Sequence, residues 1–303
     1  MTWGVLLMTY GTADGPEDVR RYYTHIRHGR PPTTEQLDDL LARYEAIGGV
    51  SPLGEIARRQ AEGLQRELDQ RHGGGAFEVV LGLKHSSPFI ADAVRGMADR
   101  GLDQVVGLVL APHFSAMSVG AYIAEAQSAK PRHMRFFPIR SWGAQPKLID
   151  ILRRRVQEAA LRFSSEERDN LPIIFSAHSL PQRILAQGDP YPAELKTTGD
   201  LTAAALQTRD YTFSWQSAGR TAEPWMGPDI LEKLTRMHHE GYRQAIICAC
   251  GFVADHLEVL YDLDIQAQNH ARGLGMHIER TRSLNADRDF LALLADLVEG
   301  QTR

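Results

Sequence analysis

Cysteine is almost absent from this chain, since Cys248 and Cys250 are the only two among 303 residues. An iron–sulfur cluster held by four cysteines is therefore excluded by count, and a zinc site of the CxxC type lacks its ligands. The two thiols lie two residues apart in one apolar run, so in a strand their side chains would face the same way. We expect two buried, reduced thiols, and their number gives no indication of an oxidising compartment.

Long apolar runs are also missing. No stretch approaches the ~20 residues that a membrane-spanning helix needs. The apolar segment Trp3–Met8 is too short for a secretory signal and has no basic flank. These features predict a cytoplasmic protein without a transmembrane segment.

No excess of one charge sign is present either, because the formal net charge is −4. Nucleic-acid binding usually requires a basic excess, so we expect no nucleic-acid partner. The chain contains no Gly-Lys pair, which excludes a Walker A phosphate loop. What remains is an ordinary globular composition, with 43% hydrophobic and 24% charged residues, at a length that fits two domains.

Short apolar runs rich in β-branched residues alternate with amphipathic helical stretches. Strands that are apolar on both faces predict parallel sheets covered by helices on each side. The predicted strands are Trp3–Thr9, Phe77–Leu83, Gln104–Leu110, Arg135–Arg140, Pro172–Ser176, Tyr211–Trp215, Gln244–Cys250 and Met276–Arg280. Predicted helices include Leu53–Gln70, Phe89–Arg100, Pro146–Phe163 and Asp229–His239.

Eight such strands predict an α/β fold of two domains, each with a four-stranded parallel sheet. A closed eight-stranded barrel is the alternative, which the very uneven connection lengths disfavour. We expect a boundary near residue 140, giving domains 1–140 and 141–303. Polar residues gather after several strands, in MTYGT, LAPHFS, FSAHSLP and CACGFVADH. Open α/β sheets bind ligands at these carboxyl ends.

The segment Gly251–Asp262, GFVADHLEVLYD, is the most informative part of the chain. It follows a predicted strand and should become a helix at Asp255, a good N-cap residue. His256, Glu258 and Asp262 then fall within seven residues. Glu258 and Asp262 are four apart, so on an α-helix they would stack on one face about 6 Å apart. Carboxylates stacked in this way repel unless a cation or proton lies between them, which predicts a divalent-metal site.

His178 follows another predicted strand, in SAHSLP. Alone, a histidine at a strand end is as often structural as functional, but imidazole together with the acidic helix suits Fe²⁺, Mn, Co or Zn. With an ordinary pKa near ~6.5 it should be mostly neutral at pH 7 and able to accept a proton. Tyr10 follows the first predicted strand, at the same sheet edge as the histidine. Such a tyrosine is usually core or rim, although a phenol oxygen can also bind iron.

Arginines and tyrosines are interleaved in RRYYTHIRHGR (Arg20–Arg30) and RYEAIGGVS (Arg43–Ser51). A basic helix face is most often simply solvated. The pattern also suits an aromatic ligand that carries carboxylates, since each charge-assisted bond contributes roughly 1.5–3 kcal/mol. Lys84, His85 and His113 could belong to the same cleft or merely line strand ends.

A series of ordered motifs resembles those of the short, soluble bacterial ferrochelatases, and specifically the coproporphyrin ferrochelatases. The motifs are YYTHIRHGR, RYEAIGGVSPL, GLKH, LAPHFS, SAHSLP, GDPYP, WQS, PWMGPD and GFVADHLEVLYD. The resemblance covers nearly the whole chain. It implies two Rossmann-like domains with the active-site cleft between them. It also implies insertion of Fe²⁺ into coproporphyrin III, giving coproheme in haem b biosynthesis.

Matched motif by motif, the resemblance implies residue roles. His178 and Glu258 correspond to the iron-binding and proton-accepting pair, and Asp262 to a candidate outer metal ligand. Tyr10 corresponds to the axial ligand of the product iron. The implied porphyrin-binding residues are Tyr10, Arg27, Arg43, Tyr44, Ser51 and Tyr122. Gln266 stands where relatives have a further carboxylate, which puts an outer ion-relay site in doubt but not the inner pair.

The same resemblance implies that coproporphyrin III and Fe²⁺ are substrates and that no cofactor or iron–sulfur cluster is required. We expect a monomer. One alternative is a haem or porphyrin carrier without turnover, in which Tyr10 is the sole ligand and the acidic helix is a solvated face. Another is a chelatase for protoporphyrin, or for cobalt and sirohydrochlorin, on a related fold. His178 together with Glu258 favours an enzyme, because a carrier needs neither.

Overall fold

The computed structural model describes residues 2–168 and 171–302, and its strands form two open, wholly parallel sheets. The first sheet has the order β2-β1-β3-β4 and the second β6-β5-β7-β8. The fold of two four-stranded sheets is therefore confirmed, and the closed-barrel alternative is wrong. The strands are β1 (Trp3–Thr9), β2 (Phe77–Leu83), β3 (Gln104–Val109), β4 (Arg135–Ile139), β5 (Ile173–His178), β6 (Tyr211–Gln216), β7 (Gln244–Cys248) and β8 (His277–Arg280).

Helices cover the sheets, and the four longest predicted segments are all helical. No helix among the described residues combines the length and apolar character needed to cross a bilayer. The helices are α1 (Val19–Ile26), α2 (Thr34–Ala46), α3 (Leu53–His72), α4 (Ile90–Asp99), α5 (Val119–Ala129), α6 (Pro146–Ala160), α7 (Ser165–Arg168), α8 (Arg183–Ala186), α9 (Tyr191–Leu206), α10 (Ile230–His239), α11 (Gln268–Gly273) and α12 (Arg288–Thr302), with a 3₁₀ turn at Pro16–Asp18 and a π-helix at Val259–Ala267.

Most strands differ from the prediction by one residue at an end, and two end two residues away from the predicted position, both near the candidate site. Strand β5 continues two residues past Ser176, because Ala177 and His178 pair with Trp215 and Gln216 of β6. His178 is therefore the last residue of the strand and is held by the sheet. Strand β7 ends at Cys248, after which the chain turns.

Both cysteines are free and buried, as predicted. They do not share a strand face, however, because Cys250 lies in the turn after β7, where its backbone N–H donates to the carbonyl of Cys248. Packing in this turn is close: a Cβ added at Gly251 would lie 2.4 Å from that of Ala177. The absence of a side chain at Gly251 thus allows the segment that leads to Glu258 to pass directly beside the end of β5.

One hydrophobic cluster joins the two sheets. It includes Leu7 of β1, Phe175 of β5, Ile246 of β7 and Phe290 of α12, each 0–1% exposed. Burying each such side chain contributes about 1.5–3 kcal/mol. The first sheet ends at Ile139 and α6 packs against the second, while α12 returns to pack against α3. The two halves therefore share a core, and the boundary near residue 140 stays a prediction.

His113 follows β3 and forms a hydrogen bond between the N-terminal and C-terminal halves of the chain. Its Nε2 lies 2.8 Å from Oγ1 of Thr198 on α9, and its side chain is 1% exposed. The next residue, Phe114, donates its backbone N–H to Glu194 on the same helix. Burial lowers the pKa of His113 to about 3. This histidine is therefore a structural link between the halves.

Acid should weaken the protein through His113. The pKa of His113 in the folded state lies below its ordinary value of ~6.5, so the unfolded chain binds more protons between those two values. The free energy of unfolding therefore decreases as the pH is lowered. The loss is ~1.4 kcal/mol per pH unit, or ~2 kcal/mol at pH 5. We expect the free-energy gap between wild type and His113→Gln in urea unfolding to shrink on acidification from pH 6.5 to 4.5. His239→Gln, at an exposed position, is the control, and parallel profiles for wild type and His113→Gln would contradict the expectation.

Candidate active site

An imidazole and a carboxylate meet at the carboxyl ends of β5 and β7. Nε2 of His178 lies 3.5 Å from Oε2 of Glu258, and Nε2 of His256 lies 3.5 Å from the same oxygen. The other ring nitrogen of His178 faces the carbonyl of Ser179, and that of His256 faces the carbonyl of Ala254. Each Nδ1 can donate its hydrogen there, so the Nε2 atoms are directed at Glu258. The fold thus brings together two residues that are 80 positions apart in the sequence.

A proton is shared unequally within this pair. Burial alone would lower the pKa of His178, but the charge of Glu258 and its hydrogen bond outweigh burial and raise the pKa to about 9. Burial opposes ionisation of Glu258 too, yet His178 and then His256 hold the pKa of that carboxyl far below its usual range. In the free protein at pH 7 the pair is imidazolium and carboxylate. The expectation of a neutral His178 is therefore wrong, because it left out the partner's charge.

The acidic helix differs from the predicted α-helix. It begins at Leu257, and Val259–Ala267 forms a π-helix, in which hydrogen bonds span five residues. Asp255 is not its N-cap, since its carboxylate accepts from Ser283 and Asn285 instead. No Gly or Pro marks the change of hydrogen-bond register, so the sequence carries no local signal for it. π-Helical turns are frequent at functional sites.

Asp262 is held apart from the His178–Glu258 pair by its own partners. Its Oδ2 accepts a hydrogen bond from Oγ of Ser217, and its Oδ1 lies 3.9 Å from Nη1 of Arg43. Burial first and the charge of Glu258 second raise its pKa to about 6, against the opposing effects of Ser217 and Arg43. Asp262 can therefore gain and lose a proton near neutral pH.

The candidate metal site is not a closed coordination sphere formed by protein side chains. Within residues 2–168 and 171–302, no three His, Cys, Asp or Glu side chains are grouped so as to hold a metal ion. Two donors directed at one point bind a divalent ion while leaving most of its coordination positions open. The arrangement suits an ion that is held briefly and passed on.

Tyr10 lies directly after β1, on the half of the molecule opposite the pair. Its side chain is 41% exposed, and its ring centroid lies 4.5 Å from that of His85. The surrounding protein raises the pKa of its phenol, and the charge of Glu258 raises it further. The charge of Glu258 therefore acts on Tyr10 from the other half of the molecule, and Tyr10 is a neutral phenol at pH 7.

The charge of Glu258 also acts on other tyrosines of the first half. Burial raises the pKa values of Tyr22, Tyr44 and Tyr122, and the charge of Glu258 adds to the increase in each. The contact is direct next to the site, where Leu257 packs against the cluster that contains Tyr22 and Tyr44. The acidic segment of the second half thus borders an aromatic wall of the first.

Arg43, on α2, is engaged with acidic groups of both halves. Its Nε lies 3.1 Å from Oδ2 of Asp39, and its guanidinium stacks over the ring of Tyr261 with Cζ 5.1 Å from the centroid. Asp39 in turn pairs with Arg220 of the second half at 2.9 Å. A line of alternating charges therefore runs from the surface through Arg43 to Asp262.

The remaining predicted porphyrin-binding residues are scattered between rim and interior. Arg27 is half-buried, with Cζ 5.6 Å from the centroid of Tyr23. Tyr44, Ser51 and Tyr122 are only 3–6% exposed. The ring of Tyr122 also carries the ammonium of Lys84 at 4.6 Å. Arg27 therefore borders solvent, whereas the other three lie beneath the surface.

Sequence reasoning assigned no role to several residues near the site. Besides Ser217, these include His25, whose Nδ1 lies 3.0 Å from that of His85. They line a pocket of about 450 Å³ together with Lys84. The GLKH motif could have indicated this, because it follows β2 at the same sheet edge as Tyr10 follows β1.

Comparison with known proteins gives a consistent likeness over the full length. The family model described as ferrochelatase matches residues 2–302. The coproporphyrin III ferrochelatase of Geobacillus sp. (strain WCH70) is 45% identical over 298 residues, covering 97% of this chain and 96% of that protein. The ferrochelatase of Herpetosiphon aurantiacus is 42% identical, covering 98% of each chain.

Solved structures show the same fold at low sequence identity. The cobalt complex of the sirohydrochlorin chelatase SirB from Bacillus subtilis subspecies spizizenii superposes with a TM-score of 0.55 at 10% identity, covering 99% of this chain and 98% of that one. CbiX, described as the terminal enzyme of sirohaem biosynthesis in denitrifying bacteria, gives 0.52 at 13% identity, covering 98% of each. At such identities the likeness concerns architecture alone.

Proposed function

Because this chain belongs to the ferrochelatase family and is a metal chelatase, we propose that it inserts Fe²⁺ into coproporphyrin III, giving coproheme for haem b biosynthesis. Relatives named for coproporphyrin III support the choice of tetrapyrrole. The observation that carries the proposal is the approach of His178 to Glu258, at 3.5 Å, near enough to the other half for the charge of Glu258 to raise the pKa of Tyr10. We further propose a cytoplasmic monomer that requires no resident cofactor or iron–sulfur cluster.

The first task of the site is to strip water from the metal. His178 and Glu258 supply a nitrogen and an oxygen donor whose directions the sheet and the helix fix in advance. Because His178 is protonated in the free protein, Fe²⁺ takes the place of that proton when it binds. The carboxylate remains charged throughout, which keeps the site attractive to a divalent cation.

The second task is to remove two pyrrole protons for each ion inserted. When iron passes to the ring, His178 becomes free to accept one proton and returns to its imidazolium form. The second proton needs another acceptor, and Asp262, with a pKa raised to about 6, can pass it on to solvent. The net reaction is Fe²⁺ plus free-base porphyrin to iron porphyrin and two protons.

The third task is to hold the macrocycle with its nitrogens exposed. Arg27 and Arg43 would bind propionates at the ring's rim, with Tyr44, Ser51 and Tyr122 beneath it. Binding energy from this rim can be used to bend the ring at its centre. Tyr10 would lie on the face opposite His178, where its oxygen can bind the product iron.

A carrier without turnover is the competing function. A carrier would need Tyr10, but it would not need a carboxylate directed at His178 or a second carboxyl that titrates near pH 6. Both features favour an enzyme.

An anaerobic assay tests the proposal. Protein, Fe²⁺ and coproporphyrin III are mixed, and the visible bands of the free base should be replaced by those of the iron complex faster than in buffer. Protoporphyrin in parallel should react more slowly, since it offers two carboxylates fewer to the rim. Bands that shift on binding but never convert would establish a carrier. Faster reaction of protoporphyrin would overturn the choice of substrate.

Replacing Arg43 should mainly weaken substrate binding. Loss of one charge-assisted bond of roughly 1.5–3 kcal/mol predicts an affinity for coproporphyrin III lowered about 10- to 150-fold in Arg43→Ala. Quenching of porphyrin or tryptophan fluorescence measures the affinity directly. Arg58→Ala, which removes an exposed arginine that pairs with Glu55, is the matched control. Equal affinities for Arg43→Ala and wild type would contradict a role in propionate binding.

A further inference from the structure

Arg280 lies at the end of β8, the outer strand of the second sheet, and its side chain points towards the acidic segment. That side chain is only 14% exposed. It contacts neither His178 nor Glu258 in any described interaction. Its partners flank Glu258 instead, one on each side in the sequence.

On the C-terminal side of Glu258, Arg280 binds Asp264 of the π-helix. Its Nε lies 2.7 Å from Oδ1 of Asp264, and its Nη2 lies 2.8 Å from Oδ2 of the same carboxylate. Two parallel bonds between a guanidinium and a carboxylate fix direction as well as distance. The bonds therefore define the rotation of the helix six residues after Glu258.

On the N-terminal side of Glu258, Arg280 contacts Asp255, in the turn before the helix. Its Nη1 lies 3.3 Å from Oδ1 of Asp255 and donates to Oγ of Ser283 at 3.2 Å. Ser283 and Asn285 also donate to Asp255, at 2.7 and 2.9 Å. The start of the segment is thus anchored to the same guanidinium as its far end.

We propose that Arg280 is a positioning residue that holds the segment 255–264 by both ends and so sets the position of Glu258 opposite His178. The inference rests on the proposed function, since it concerns the same donor pair. A π-helix is held by wider, less regular hydrogen bonding than an α-helix, so an external clamp is needed for a precise side-chain position.

An arginine is suited to this task and a lysine is not. Five donors in a planar fork can bind Asp264 with two bonds while one nitrogen still reaches Asp255. An ammonium is a point charge that can satisfy only one end at a time. Arg280 has no described contact with Arg27, Arg43 or Tyr44. Arg43 meets the clamped segment at Tyr261 and Asp262, three and four residues beyond Glu258.

Arg280→Gln separates this role from substrate binding. We expect kcat to fall and the KM for Fe²⁺ to rise, by about 10- to 100-fold in kcat/KM, as is usual when a supporting residue of a metal site is lost. The KM for coproporphyrin III should change much less than that for Fe²⁺, because the first half of the chain supplies the proposed porphyrin-binding residues. Arg280→Lys should recover only part of the loss. A general loss of structure would instead alter both KM values together.

Arg162→Gln is the matched control. Arg162 pairs with Glu279, the neighbour of Arg280 on β8, at 2.9 Å, and has no described hydrogen bond or ion pair with residues 255–264. Its loss should leave kcat and both KM values unchanged. An equal effect of Arg162→Gln and Arg280→Gln would overturn the inference, because the cause would then be strand β8 as a whole.

Chemical rescue gives an independent readout. Arg280 and Asp264 border a surface pocket of about 410 Å³, which admits small solutes. Millimolar guanidinium should restore several-fold activity to Arg280→Ala without affecting wild type. Should Arg280→Ala not fold, Asp264→Asn removes the two-bond grip alone and should show the same selective rise in the KM for Fe²⁺.

The two hypotheses fail in different ways. Wild type that binds coproporphyrin III but never inserts iron would refute the proposed function. Wild type that inserts iron while Arg280→Gln and Asp264→Asn match it in kcat and in the KM for Fe²⁺ would refute the positioning role alone.

Discussion

His178→Ala is expected to abolish iron insertion while coproporphyrin III still binds. The substitution removes the nitrogen donor and the group whose pKa of about 9 lets it take back a pyrrole proton. Loss of a positioned acid–base group alone costs about 10²–10⁴ in rate, and the loss of a metal donor adds to this. The porphyrin-binding residues lie on the other half, so their affinity should remain.

Two measurements check this expectation. Anaerobic single-turnover spectra give the rate of insertion, and a fluorescence titration gives the affinity for coproporphyrin III. His239→Ala, at an exposed position on α10, is the control for loss of a histidine as such. Turnover by His178→Ala within a few-fold of wild type would exclude the metal-binding and proton-accepting role.

Glu258→Gln should be comparably inactive, for an electrostatic reason. The amide keeps the shape of the side chain but has no charge with which to attract a divalent cation or to stabilise the proton on His178, so we expect a loss of about 10²–10⁴ in rate. The variant should also lower the pKa of His178 from about 9 towards or below ~6.5, because burial would then act without its opposing charge. Insertion by His178→Ala with Glu258→Gln should be little worse than by either single variant, since residues that act as a unit are not additive.

Imidazole NMR titration measures that pKa directly. Asp262→Asn is the matched control, because Asp262 is a smaller contributor to the field at His178 than Glu258. It should slow the reaction less and leave the pKa of His178 raised. A His178 pKa that stays near 9 in Glu258→Gln would mean that the two side chains do not interact as the 3.5 Å separation indicates.

Much of the fold could be predicted from hydrophobic pattern. Runs such as Phe77–Leu83 are apolar on both faces because helices cover both sides of a parallel sheet, and this pattern is local. Strand ends were less predictable. His178 belongs to β5 only because β6 offers it a partner, and the pairing strand is more than 30 residues away.

The candidate site was likewise predictable from the sequence only in part. The residue types in SAHSLP and DHLEVLYD indicated metal and proton chemistry, whereas the protonation of His178 depended on a charge brought close by folding. His113 resembled a cleft residue in the sequence and is an inter-half link in the structure, since its partner Thr198 is supplied by α9. Arg280 gave no signal at all, because its importance lies wholly in what it touches.

The sequence by itself determined the two parallel sheets, the family and the candidate side chains for the proposed chemistry, because apolar periodicity and motif identity are properties of the chain read in order. Only the tertiary structure decided the π-helix, the imidazolium–carboxylate pair and the clamp at Arg280. Hydrogen-bond register, pKa and side-chain position depend on groups distant in the sequence, and distances between such groups exist only after the chain has folded.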